Sequence, residues 1–208
     1  MTTRLLRAPS DACEPAASTT RSGPLNAGEA AGLWIAAAGV VGFGFYGVAI
    51  HSPNTGLYVL VVLAMGAALL RLRGPGLPPA LAVGLSVLAL GHLAGGLVRI
   101  HHDVLYNATL GGQLWRYDHL VHSAGVFVGT LTMWQLFMGE ATVISRRAAV
   151  GMCALAGIGL GGVNEVIEFL STQLHHGSHV GGYVNTGWDL VCNAVGAAAA
   201  ATWLARRS

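Results

Sequence analysis

Three stretches without a charged side chain, residues 32–50, 56–70 and 77–98, set the terms for any fold this chain adopts. A helix needs roughly 20 apolar residues to cross a hydrocarbon core of about 30 Å. The shorter second run is closed by Arg71 and Arg73, whose long stems reach toward headgroups. Pro78 and Pro79 sit where the third helix should open, a place where a missing N–H costs nothing. Three further apolar runs, residues 117–138, 148–171 and 185–205, carry embedded acids. Only 10% of all residues are Asp, Glu, Lys or Arg, less than half of the roughly 25% that clothes a water-facing domain. The chain therefore reads as an all-α polytopic membrane bundle of six transmembrane helices.

Residues 1–30, rich in Pro, Ser and Thr with scattered charge and no apolar stripe, read as a disordered cytoplasmic tail, and residues 31–208 as the six-span domain. The first apolar run is longer than a signal-peptide core, so the spans themselves are expected to direct insertion. A net charge of +2 and three cysteines exclude a nucleic-acid-binding surface and a disulfide scaffold. All 11 basic residues are Arg. Six spans place both termini on one side, with Arg4, Arg7, Arg21, Arg71, Arg73, Arg146, Arg147, Arg206 and Arg207 there and only Arg99 and Arg116 opposite. By the positive-inside rule both termini are cytoplasmic. The expected location is a bacterial plasma membrane, with membrane lipids as surroundings and no nucleic-acid partner.

On this topology the nine histidines all fall in the outer half: His51, His92, His101, His102, His119, His122, His175, His176 and His179. The embedded acids Asp118, Glu165, Glu168 and Asp189 do the same. Asp118 and His122 are spaced i,i+4, Glu165 and Glu168 i,i+3, and Asn185, Asp189 and Asn193 form an i,i+4,i+8 stripe, so three helices can turn polar faces toward one another. At 1.5 Å per residue Glu165 lies about 9 Å and Asn193 about 12 Å below the outer helix ends. A charge at the centre of a membrane helix costs about 2.5–3.5 kcal/mol on insertion scales, so these groups should face an internal cavity.

Imidazole and carboxylate together suit zinc or another divalent metal, and three protein ligands leave a position for water. The plainer alternative is a hydrogen-bonded network that fixes helix register. His175, His176 and His179 form a weaker metal candidate in a loop. The cysteines (Cys13, Cys153 and Cys192) lack any nucleophile geometry and read as structural. Trp115, Tyr117, Tyr183 and Trp188 read as an interfacial aromatic belt.

The same residues carry a family resemblance. Tyr117-Asp118-His119-Leu120-Val121-His122, Asn164-Glu165-Val166-Ile167-Glu168-Phe169 and Asn185-Thr186-Gly187-Trp188-Asp189-Leu190, followed by Asn193 and Gly196, resemble the YjdF-like family of bacterial inner-membrane proteins. The sequence departs from that family's pattern at His119, Asn164, Phe169 and Asn185. A more distant likeness is to VanZ-like proteins, through Asp118 and His122, one of Glu165 or Glu168, and Asp189, Asn193 and Gly196. The resemblance implies the architecture and the choice of polar residues, and names no reaction.

The reading that follows is a metal-assisted hydrolase or transferase acting on a lipid-linked or envelope substrate. His122, Asp118, Glu168 and Asp189 are its candidate metal ligands. Glu165, Asp118 and His122 are the candidate catalytic groups, with Glu165 as general base, and Asn185 and Asn193 orient ligands from behind. The alternatives are a metal- or proton-handling transport protein, and a structural membrane protein whose polar stripes only lock helix packing.

Overall fold

The computed structural model describes residues 23–72, 76–109, 111, 115–137, 144–174 and 182–207. Six long helices dominate: α1 (Ala27–Ala49), α2 (Thr55–Leu72), α3 (Pro79–Leu97), α4 (Tyr117–Phe137), α5 (Arg146–Leu174) and α6 (Tyr183–Arg206). Between α3 and α4 lie a two-stranded antiparallel hairpin, β1 (Arg99–Ile100) and β2 (Asp103–Val104), and one 3₁₀ turn, Leu105–Asn107. The molecule is a helical membrane bundle. Helices α1 to α5 are each long and apolar enough to cross a bilayer. Helix α6 is not in that group; Asn185, Asp189, Asn193 and a run of Gly and Ala lower its apolar character.

Helix α1 starts at Ala27, inside the segment 1–30 read from the sequence as tail. Asn26 explains the early start. Its side chain accepts from the Glu29 backbone N–H while the Glu29 carboxylate accepts from the Asn26 N–H, both at 2.9 Å, a reciprocal capping box. The sequence reading leaves Glu29 in the tail, apart from the four embedded acids. Glu29 is buried at the opposite end of the bundle, where its second oxygen accepts from the Leu77 N–H at 2.9 Å and Asn26 donates to the Leu77 carbonyl.

Helices α1 and α3 pack closely along small residues: a side chain at Gly28, Gly32 or Gly39 would run into Pro79, Ser86 or Leu90. Ser86 bonds across this seam to the Gly32 carbonyl at 2.7 Å. Helices α4, α5 and α6 form a second, equally close unit. A Cβ at Gly157 would strike Thr130, one at Gly161 would strike Asn193, and one at Gly196 would strike the Ser123 backbone. These three glycines let three polar helix faces approach. At the termini end, Arg146 donates to the carbonyls of Leu204 and Arg207 at 2.7 and 2.9 Å, satisfying the open C-terminus of α6.

A buried cluster of Tyr58, Leu93, Leu97, Val104 and Tyr106 joins α2, α3 and the hairpin, with Tyr117 packed against it. Tyr117 therefore departs from the expected aromatic belt: its hydroxyl turns inward and donates to the Gly91 carbonyl at 3.0 Å. Trp115, Tyr183 and Trp188 remain exposed.

Candidate functional site

His122 is the hub. Helices α4 and α6 run parallel, with Asp118 beside Asn185 and His122 beside Asp189 and Asn193. Helix α5 runs antiparallel and brings its last turns to the same level. The His122 Nε2 atom lies 3.4 Å from Asp118 Oδ1, 3.7 Å from Glu168 Oε1 and 4.0 Å from Asp189 Oδ1. Its Nδ1 lies 3.2 Å from Asn193 Oδ1 and 3.4 Å from Glu165 Oε1. An amide oxygen only accepts, so Nδ1 carries the proton and donates to Asn193. Nε2 faces three carboxylates, which likewise only accept, so it sits where a second N–H or a bound cation would go.

The supporting bonds are ordered outward. Asn185 donates to Asp189 Oδ2 at 2.6 Å and is 3.2 Å from Asp118 Oδ2, and Arg116 donates to the Asn185 carbonyl oxygen at 3.1 Å. Asn164, one turn before Glu168, donates to its Oε1 at 2.6 Å. His119 lies 4.0 Å from Asp189 and stacks obliquely near Trp188. Other polar atoms end without partners among the described residues: both oxygens of Glu165, Asp189 Oδ1 and Asn193 Nδ2 are buried and outside hydrogen-bonding geometry. Glu165 has Thr186 and His122 nearby, but neither meets its oxygens as a well-formed donor.

One ligand atom from each of His122, Glu165, Glu168 and Asp189 can be chosen so that all lie within 4.8 Å of one another. A tetrahedral ion with bonds of about 2.0–2.2 Å needs donors roughly 3.3–3.6 Å apart, so small side-chain rotations close the set. Glu165 thus stands among the mutually close donors, where the sequence reading has it as the base. Asp118 stands to the side, held by Asn185 and facing His122. The weaker loop candidates His175, His176 and His179 lie outside the described residues.

Sequence reasoning missed four participants. Arg116 and Asn164 carry weak signals, one adjacent to Tyr117-Asp118 and the other four residues before Glu168. Tyr58 and Tyr106 carry none, because their approach to His92 depends on Gly96 and Gly95, where a side chain would overlap the two rings.

Residues 31–208 match the family described as predicted membrane protein (DUF2238), which is the YjdF-like family. The chain belongs to this family. No curated protein and no solved structure matches the chain. For this YjdF-like protein the functional reading therefore rests on its own geometry. The family match covers α1 from residue 31 on, the other five helices and every residue of the His122 cluster.

Proposed function

We propose that this YjdF-like protein binds one divalent metal ion between His122, Glu165, Glu168 and Asp189, and uses it for hydrolysis or group transfer on a lipid-linked or envelope substrate. The single observation that carries the reading is the surplus of buried negative charge. Asp118, Glu165, Glu168 and Asp189 surround two imidazoles, His119 and His122, and no arginine pairs with any of these carboxylates among the described residues. If all four acids are ionised, even two cationic rings would leave two negative charges over in a buried site. Burying unpaired charge is strongly unfavourable, and a divalent cation supplies the missing two charges at once. A network built only to fix helix register would leave fewer orphaned oxygens.

In this reading Asn193 fixes the His122 tautomer, and Asn185 positions Asp118 and Asp189. Asp118 lies within reach of the reacting centre as a proton acceptor. In the same reading α6 is the sixth span, both termini are cytoplasmic and the site lies in the outer half of a bacterial plasma membrane. The described arginines at the termini end, Arg71, Arg146, Arg147, Arg206 and Arg207, support that orientation.

Metal analysis of the detergent-purified protein tests the binding step. Wild type is expected to carry about one zinc-like ion per chain and Glu165→Gln far less. A metal-free wild type with unchanged folding would return the cluster to a packing role. A reporter fused after Arg207 that reads as external would overturn the orientation.

A further inference from the structure

Among the described residues, two arginines stand at the same end of the bundle as the His122 cluster, and their settings differ. Arg99 is exposed on the hairpin, whereas Arg116, one residue before α4, is half-buried. The Arg116 main chain is pinned. It bridges Thr109, the next N–H, of Tyr117, donates to the Ala108 carbonyl at 2.9 Å, and its own N–H reaches His119 Nδ1 at 3.5 Å. The guanidinium is thereby held against the start of α6, where Nη1 donates to Asn185 Oδ1 at 3.1 Å.

Asn185 keeps that charge apart from the acids. A guanidinium only donates and a carboxylate only accepts, so the amide is oriented with Oδ1 toward Arg116 and Nδ2 toward Asp118 and Asp189. An aspartate at position 185 would pair with Arg116 and cancel it. The neutral amide instead fixes the guanidinium and leaves its charge uncompensated: among the described residues Arg116 forms no ion pair, although Asp118 and Asp189 lie one amide away. Helix α6 also opens on Gly182, which has no side chain to cap it, so its first N–H groups add partial positive charge beside Asn185.

The surroundings suit a lipid headgroup. Trp115, beside Arg116, and Tyr183, two residues before Asn185, are 68% and 95% exposed, and amphipathic rings settle at headgroup level. Leu120, one turn below Arg116 on the same face of α4, is an exposed apolar side chain, as are Val184 and Trp188 of α6. We propose that Arg116 binds the phosphate of a bilayer lipid, its remaining N–H groups meeting phosphate oxygens while the acyl chains descend over Leu120. Asp118 and His122 lie about 3 and 9 Å deeper along α4, so the anchored phosphate sets the rest of the lipid at the level of the cluster. This inference deepens the metal-site reading, on which it rests for the chemistry, by naming phosphate-bearing lipids as the substrate class. A phosphate ester is shared by headgroups and soluble phosphates; the exposed apolar side chains beneath Arg116 select the lipid.

The test uses the full chain in a maltoside detergent, which contains no phosphate, titrated with phosphatidic acid and read by native mass spectrometry. Diacylglycerol with the same chains is the neutral comparator, and inorganic phosphate separates a free anion from a headgroup. Phosphatidic acid should bind wild type about tenfold or more tightly than diacylglycerol does, and Arg116→Gln should lose about ten- to hundredfold, the range of one hydrogen bond to a charged group. Arg116→Lys, which keeps the charge without the fork and is the second variant if the first does not fold, should fall between the two. Arg99→Gln should bind as wild type does. Phosphatidic acid held no more tightly than diacylglycerol, or equal losses in Arg116→Gln and Arg99→Gln, would overturn the proposal, and inorganic phosphate binding as tightly as the lipid would overturn the choice of a headgroup. Metal is counted in the same samples. An Arg116-dependent phosphatidic acid site in a wild type that binds no metal would sink the metal reading and leave the lipid site standing; a metal-bearing wild type without preference for phosphatidic acid would do the reverse.

Discussion

Two buried glutamates of this protein sit at opposite ends of the bundle and have opposite surroundings. Glu29, 4% exposed, has one oxygen bonded to the Asn26 N–H and the other to the Leu77 N–H. Glu165, 7% exposed, has neither oxygen in a hydrogen bond among the described residues and two further acids at its side. Burial is the same, so burial does not separate a structural acid from a functional one. Satisfaction does. A carboxylate whose acceptors are met by fixed backbone donors staples α1 to the start of α3. One whose acceptors are left open, in a site where charge is in surplus, stores a demand that a ligand can meet.

The contrast breaks most visibly on metal content. Glu165→Gln should lower metal affinity by about a thousandfold or more, equivalent to about 4 kcal/mol, while its midpoint of thermal unfolding without metal stays the same or rises, since an unpaired charge is removed. Isothermal titration and a thermal shift series measure both. Glu29→Ala should show the reverse pattern. Losing acceptors for two backbone donors should cost about 2–4 kcal/mol in stability, with metal affinity per folded molecule unchanged; equal effects of the two substitutions on metal binding would erase the distinction.

Asn193→Leu tests the link between the two kinds of burial. It keeps the bulk behind Gly161 but removes the acceptor for His122 Nδ1, and metal affinity should fall about 10–100-fold, as for other loosened outer partners. The smallest effect is expected at Arg116→Gln. It removes only the bond to Asn185, two steps from the ion, and should weaken metal binding about threefold or less, given the modest worth of a partly exposed hydrogen bond. A large loss at Arg116 would mean that its charge acts directly on the cluster.

Much of the site was legible because helix geometry is local. Asp118 and His122, and the stripe of Asn185, Asp189 and Asn193, share helix faces by their spacing alone, and the cost of isolated charge in a bilayer turns those faces inward. Glu29 escaped because its role is set by Leu77, 48 positions away, and nothing in the segment around it forms an apolar stripe. The hairpin after α3 escaped for a related reason: two strands of two residues each carry too little pattern to read. Yet that hairpin leads directly into the turn that sets Tyr106 on His92.

The sequence by itself determined that the chain is a membrane bundle and which side chains had to be hidden from lipid, since hydropathy, charge and helical period are properties of short segments. Only the tertiary structure decided which hidden groups are satisfied. Pairing across helices depends on how closely α4, α5 and α6 approach at Gly157, Gly161 and Gly196, and whether a given oxygen ends on a backbone N–H or on another acid is settled by distances between residues far apart in the chain.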